Sequence, residues 1–146
     1  MWYYNSTNFE YDESDPYIGF VYCITDLSNH KKYIGKKGFL SKRRLPPLKG
    51  KTRKRLVTKE SDWQSYFGSS DQVNLLVEEL GQKNFHREIL YLCKSKGEMS
   101  YLEAKEQFDR GVLLSDEYYN GIINCKIHKT HVRGLSNDAK GVQGSE

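Results

Sequence analysis

Cysteine is scarce in this chain: three residues in 146, at positions 23, 93 and 125, with no CxxC spacing. That pattern supports neither a zinc ribbon nor a disulfide framework, and a reducing cytoplasm is the expected setting. Long apolar runs are missing too; no stretch approaches the eighteen or so residues of a membrane span. The opening Met1-Trp2-Tyr3-Tyr4-Asn5 has neither the basic start nor the apolar centre of a secretory signal. The sharpest absence is of acid. Residues 27–59 contain no Asp or Glu, yet they hold thirteen of the twenty-three Lys and Arg. Residues 1–26 are the reverse, with five acids and no Lys or Arg. A net charge of +4 therefore understates one concentrated basic block, the electrostatic footprint of a phosphate-backbone partner.

Aromatic residues are plentiful: eleven Tyr, six Phe and two Trp can furnish the core of one domain. We expect that domain over 1–130, with an irregular arm at 1–16 and a mobile tail at 131–146, where Gly, Ser, Asn and Lys dominate. Ile18 to Thr25 reads as a buried strand, and Lys32 to Lys36 as its antiparallel hairpin partner across the turn-forming Asp26-Leu27-Ser28-Asn29-His30. Ser41 to Arg44 starts a helix that Pro46-Pro47 would stop. Lys49 to Lys59 reads as a basic loop or short helix, and residues 61–67 as a brief helix or turn. Val73, Leu76, Val77 and Leu80 repeat at helical spacing between an N-cap at Ser69 or Ser70 and Gly81. Phe85 to Cys93 is a third strand. Glu98 to Leu113 is the longest helix, with Met99, Leu102, Phe108 and Val112 on one face. Ile122 to Ile127 is a short strand candidate.

Two strings carry the chemistry. Phe20-Val21-Tyr22 and Tyr33-Ile34-Gly35 each place a tyrosine on a strand, eleven residues apart, and Arg43 follows Gly35 by eight. Two phenols and a forked guanidinium on a small sheet make a phosphate-handling constellation. Tyr66-Phe67-Gly68-Ser69-Ser70, Asn84-Phe85-His86-Arg87-Glu88-Ile89-Leu90, an acidic helix and the pair Tyr119-Asn120 follow in order.

In these strings the chain resembles the GIY-YIG nuclease family over roughly residues 18–127, and within it the free-standing, phage-encoded, homing-type endonucleases. The resemblance implies an α/β (α+β) fold: a small three-stranded antiparallel sheet flanked by helices, in the order β-β-α-β-α. It implies hydrolysis of DNA phosphodiester bonds with one divalent cation, Mg²⁺ or alternatively Mn²⁺, held by a single carboxylate and by substrate oxygens. Tyr22 would position or deprotonate the attacking water, helped by positive charge from Lys36, Arg43 and the metal. Tyr33 would orient the water or bond a phosphate oxygen, and Arg43 would clamp the phosphate. Glu103 is the first choice for the metal carboxylate and Glu106 the second. Asn120 would bond the phosphate or the Glu, or else only make the Tyr-Asn-Gly turn.

Lys37, Lys42, Arg44, Lys49, Lys51, Arg53, Lys54 and Arg55 would contact DNA, expected to be double-stranded, with Arg44 an alternative clamp to Arg43. Trp63, Tyr66 and Phe67 are read as core residues or, alternatively, as groups that stack on a base. Many relatives place a His about four residues after the Arg, where this chain has Pro47, so a lysine after Gly35 becomes the alternative proton acceptor. An oligomer and a host-cell cytoplasm are compatible with this reading. The competing reading is a nucleic-acid-binding module on the same fold that does not cleave.

Overall fold

The computed structural model describes residues 1–135. The hairpin is present: β3 spans Gly19–Asp26, one residue later than expected, and β4 spans Lys32–Gly38, two residues longer than expected. Its turn is built by Asp26, whose carboxylate accepts from the Ser28 backbone N–H and hydroxyl and from Asn84. β7, Phe85–Cys93, pairs antiparallel with the other edge of β3. These three strands are the expected sheet, but the sheet is larger. Trp2–Tyr4 forms β1, parallel to β7, and Thr7–Asn8 forms β2 beside it. The strand order is β2-β1-β7-β3-β4. The expected irregular arm is thus partly sheet, because Trp2 buries its indole in the core and donates its N–H to the Trp63 carbonyl at 2.7 Å.

β3 is buried on both faces, and its alternation sorts the core into two layers. Phe20, Tyr22 and Ile24 face an aromatic layer with Trp2, Phe39, Trp63, Phe67 and Phe85. Val21 and Cys23 face the second layer, with Ile34, Met99, Leu102 and Val112. Helix α1, Asp71–Leu80, supplies Leu76 and Val77 to the first layer. Ser70 caps it by accepting from the Val73 N–H, and Gly81 ends it at φ +88°. Helix α2, Lys96–Asp109, covers the second layer and is capped by Ser95. It is shorter than expected, and Phe108 lies exposed rather than on the core face.

The largest departure lies in the basic block. Residues 40–60 contain no helix. Leu40–Leu45 and Arg55–Glu60 are β5 and β6, an antiparallel ribbon separate from the main sheet. Its base is fixed where the Ser61 N–H donates to the Phe39 carbonyl and the Ser61 hydroxyl to the Gly38 carbonyl. Ile122 to Ile127 forms no strand, and Lys129–Val132 makes a short 3-10 turn against α2. The tail expected from 131 falls mostly on residues 136–146, outside the described residues. No helix among the described residues is long and apolar enough to cross a membrane.

Candidate active site

The site begins with Tyr22 opposite Gly35 in the β3–β4 ladder. The Tyr22 side chain is buried, and its phenol lies against the α-carbon of Gly35, where any β-carbon would collide with it. That is the physical reason for a glycine at the end of Tyr33-Ile34-Gly35. Tyr33 lies on the same face two residues away, with its ring 6.4 Å from that of Tyr22. A β-bulge in β7 sits where β3 passes from Val21 to Tyr22: Tyr22 pairs with Ile89 and Val21 with Tyr91. Such a bulge bends the strand and re-aims a side chain locally.

A loop closes over the phenols. Tyr66 meets Tyr22 edge-on at 6.1 Å, and the Tyr33 hydroxyl is 3.0 Å from the Ser69 hydroxyl. Gly68 sits at φ +94°, a conformation that strains any other residue, and a β-carbon there would come within 3.3 Å of the Tyr33 ring. Buried Arg87 anchors this loop by donating to the Gln64 and Tyr66 carbonyls at 3.0 and 2.8 Å. Its guanidinium lies over the Trp2 and Phe67 rings, and burial lowers its pKa to about 10. Asn74 ties Gly68 and Ser70 from the helix side.

From the opposite layer, α2 contributes Glu103. Lys36 stands 3.8 Å from this carboxylate and donates to the Ser100 hydroxyl at 2.7 Å. Burial raises the Glu103 pKa, and Lys36 partly offsets that rise. Glu103 is close enough to raise the pKa values of both Tyr22 and Tyr33 through its charge. Glu106, the second choice, is already engaged: its oxygens accept from the Tyr91 hydroxyl and the Arg110 guanidinium at 3.0 and 2.8 Å.

Tyr22 is not poised to ionise. Burial, then the charges of the Tyr66 and Tyr33 phenols, push its pKa well above the usual value. In the metal-free protein the leading influences all favour the protonated form. Arg43 lies on the exposed ribbon, and among the described residues it makes no hydrogen bond or ion pair with Tyr22, Tyr33 or Glu103. Besides Arg87, a second cation beside the loop is Lys37, paired with Asp62 at 2.6 Å and lying over the Tyr66 ring at 4.1 Å.

Asn120 is buried, and it spends both ends of its amide on Ile34. It accepts from the Ile34 N–H at 2.9 Å and donates to the Ile34 carbonyl at 2.8 Å. Tyr119 beside it donates to Asp26 and accepts from Asn29. The Tyr-Asn pair therefore fastens the hairpin from behind, and that strand carries Tyr33 and Gly35. His86 stacks on Tyr3, and His128 and His131 bond within their own turn, so none of them replaces the His absent at Pro47.

Among the described residues, no group of three His, Cys, Asp or Glu converges to hold a metal. A lone half-buried carboxylate beside hydroxyls suits only a hard ion that keeps most of its water. The expected DNA contacts divide by place. Lys42 and Arg44 are on β5 and Arg55 on β6, while Lys49, Lys51, Arg53 and Lys54 lie in the connection between them. Trp63 and Phe67 are core residues, which excludes them as stacking groups. Sequence reasoning missed Ser69 and Arg87 as supports of the site; the Tyr66–Ser70 string marked the segment but not the contacts. A family model described as "Putative endonuclease segE, GIY-YIG domain" matches residues 2–123. Comparison with curated proteins and with solved structures gives no match.

Proposed function

Because the chain belongs to the segE-type GIY-YIG endonuclease-domain family, whose model spans 2–123, we propose that it hydrolyses phosphodiester bonds of duplex DNA at the Tyr22–Tyr33–Glu103 centre. The observation that carries the reading is the pairing of the Tyr22 and Tyr33 phenols on one face of the hairpin, Tyr22 over Gly35, with the Glu103 carboxylate held beside Lys36 of the strand that carries Tyr33. Glu103 would hold the divalent cation, Mg²⁺ or Mn²⁺, which supplies charge neutralisation at the phosphate when bound.

The chain's own groups divide the remaining work. Tyr22, held protonated in the metal-free protein, fixes the attacking water through its hydroxyl, and the proton that this water loses passes to bulk solvent. Tyr33, oriented by Ser69, bonds a non-bridging phosphate oxygen. Lys36 pairs with Glu103 and partly offsets the rise that burial gives its pKa. Arg43 grips a phosphate from the ribbon, on the face that continues from Lys37 through Ser41. Asn120 acts by positioning β4 rather than by touching substrate.

Binding without cleavage is the second reading, favoured by one observation: Arg43 lies exposed on the ribbon and, among the described residues, makes no hydrogen bond or ion pair with the phenols or Glu103. The Tyr22→Phe variant separates the two. Cleavage of plasmid DNA with Mg²⁺ should fall by about a hundredfold or more, as when a reacting group loses its positioning, while duplex affinity is kept. If neither the wild-type chain nor the variant cuts DNA with Mg²⁺ or Mn²⁺, the nuclease reading fails.

A further inference from the structure

A two-stranded ribbon alone in water is marginally stable, because it has no second layer to bury against. β5 and β6 are in that position, separate from the five-stranded sheet, with Leu56 and Val57 exposed. The ribbon and its connection carry nine Lys or Arg between Leu40 and Lys59, and no acid until Glu60. A partner that covers this element must therefore be polyanionic and must also offer apolar contact.

The ladder register defines two faces. Ser41 lies opposite Lys59, Arg43 opposite Val57 and Leu45 opposite Arg55 on one face. Lys42 lies opposite Thr58 and Arg44 opposite Leu56 on the other. Ser41 and Lys59 share a surface depression with Lys37 and Asp62, so the first face continues from the side of the sheet that carries the phenols. Leu40 and Lys42 instead share a depression with Lys94 and Lys96 at the start of α2. A duplex lying against the phenols meets the first face. Six residues per strand span about 20 Å, and the major groove of B-DNA, about 12 Å wide, admits a two-stranded ribbon.

We propose that the β5–β6 ribbon enters the DNA major groove and sets where the enzyme cuts, with Arg55, Val57 and Lys59 meeting base edges and Lys42 and Arg44 meeting phosphates. Arg55 and Lys59 match the guanine O6 and N7 acceptors, and Val57 matches the thymine methyl. Glu60 does not oppose this arrangement, because its carboxylate accepts from the Trp63 indole and the Gln64 amide at the ribbon base. The inference rests on the nuclease reading for the side on which DNA lies, but it is tested by binding alone.

The test uses the full chain as Glu103→Gln, which removes cleavage, and random-sequence duplexes selected by gel retardation. The selected pool should show a preferred sequence. Methylation of guanine N7 should interfere with binding, and netropsin in the minor groove should not. Arg55→Ala with Val57→Ala should flatten that preference by roughly tenfold at the contacted positions. Lys42→Ala with Arg44→Ala should weaken all sequences alike and make the salt dependence shallower. Melting temperatures close to the parent show that these exposed changes leave the fold intact. A pool without preference, interference by netropsin instead of N7 methylation, no retardation of duplex DNA, or tighter binding to RNA or anionic vesicles would each overturn the proposal. Cleavage by the parent chain with a preference that ignores both ribbon variants would sink the ribbon and leave the nuclease reading standing. Groove interference in a chain that never cuts would do the reverse.

Discussion

A β-carbon at position 35 would occupy the space where the Tyr22 phenol lies. Gly35→Ala should therefore displace the phenol: cleavage should fall about as far as in Tyr22→Phe, while circular dichroism shows the sheet retained. Asn120 acts on the same strand through hydrogen bonds. Asn120→Ala leaves the buried Ile34 N–H without its partner, although Gln107 still donates to the Ile34 carbonyl at 3.1 Å. An unsatisfied buried donor costs about 1–3 kcal/mol, so urea unfolding should show a loss of that size; a loss below about 0.5 kcal/mol would refute the clamp role. The tyrosine strings were legible from residue identity and order. The role of Asn120 was not, because it depends on a strand eighty-six residues earlier in the chain.

At the scale of elements, buried faces made the sequence readable. β3 and α1 announce themselves through apolar periodicity, and Ser70 and Gly81 mark the ends of α1. β5 and β6 could not, since their residues lie outside the core and so carry no alternation of apolar and polar positions. β1 is too short for a local pattern, and its parallel pairing to β7 is a long-range event. The loop over the phenols depends on Arg87, an apolar-looking strand position filled by a buried cation. Arg87→Met keeps the stem and removes the donors to Gln64 and Tyr66. Amide hydrogen exchange should then accelerate in residues 64–69 before any change in β3 or β4. Uniform exchange across the sheet would show that Arg87 supports the whole core instead.

For the whole molecule, two carboxylates with buried surroundings, Asp26 and Glu103, are shifted in opposite directions and contribute oppositely to the response to acid. Burial pushes the Asp26 carboxyl up, but hydrogen bonds from Ser28, Tyr119 and Asn84 outweigh it and hold the group below its usual value. The stability it contributes is present above the unfolded Asp pKa of about 3.9 and is lost as pH falls through the lower folded value. Asp26→Asn should accordingly lose more stability at pH 6 than at pH 2, measured by chemical denaturation. Glu103 is shifted the other way by burial. Its carboxyl carbon, followed by NMR in the metal-free protein, should titrate above the ordinary Glu value, and Mg²⁺ should drive that midpoint down. A midpoint indifferent to Mg²⁺ would remove Glu103 as the ligand.

The central claim is that the phenol–carboxylate centre over Gly35 cuts DNA. Its most direct measurement compares plasmid cleavage and duplex binding for the wild-type chain and Glu103→Gln in the same Mg²⁺ buffer. The account predicts nicking or linearisation by the wild type, none by the variant, and dissociation constants within about threefold of each other, the modest change expected when no phosphate contact is lost. Undiminished cleavage by Glu103→Gln would contradict it.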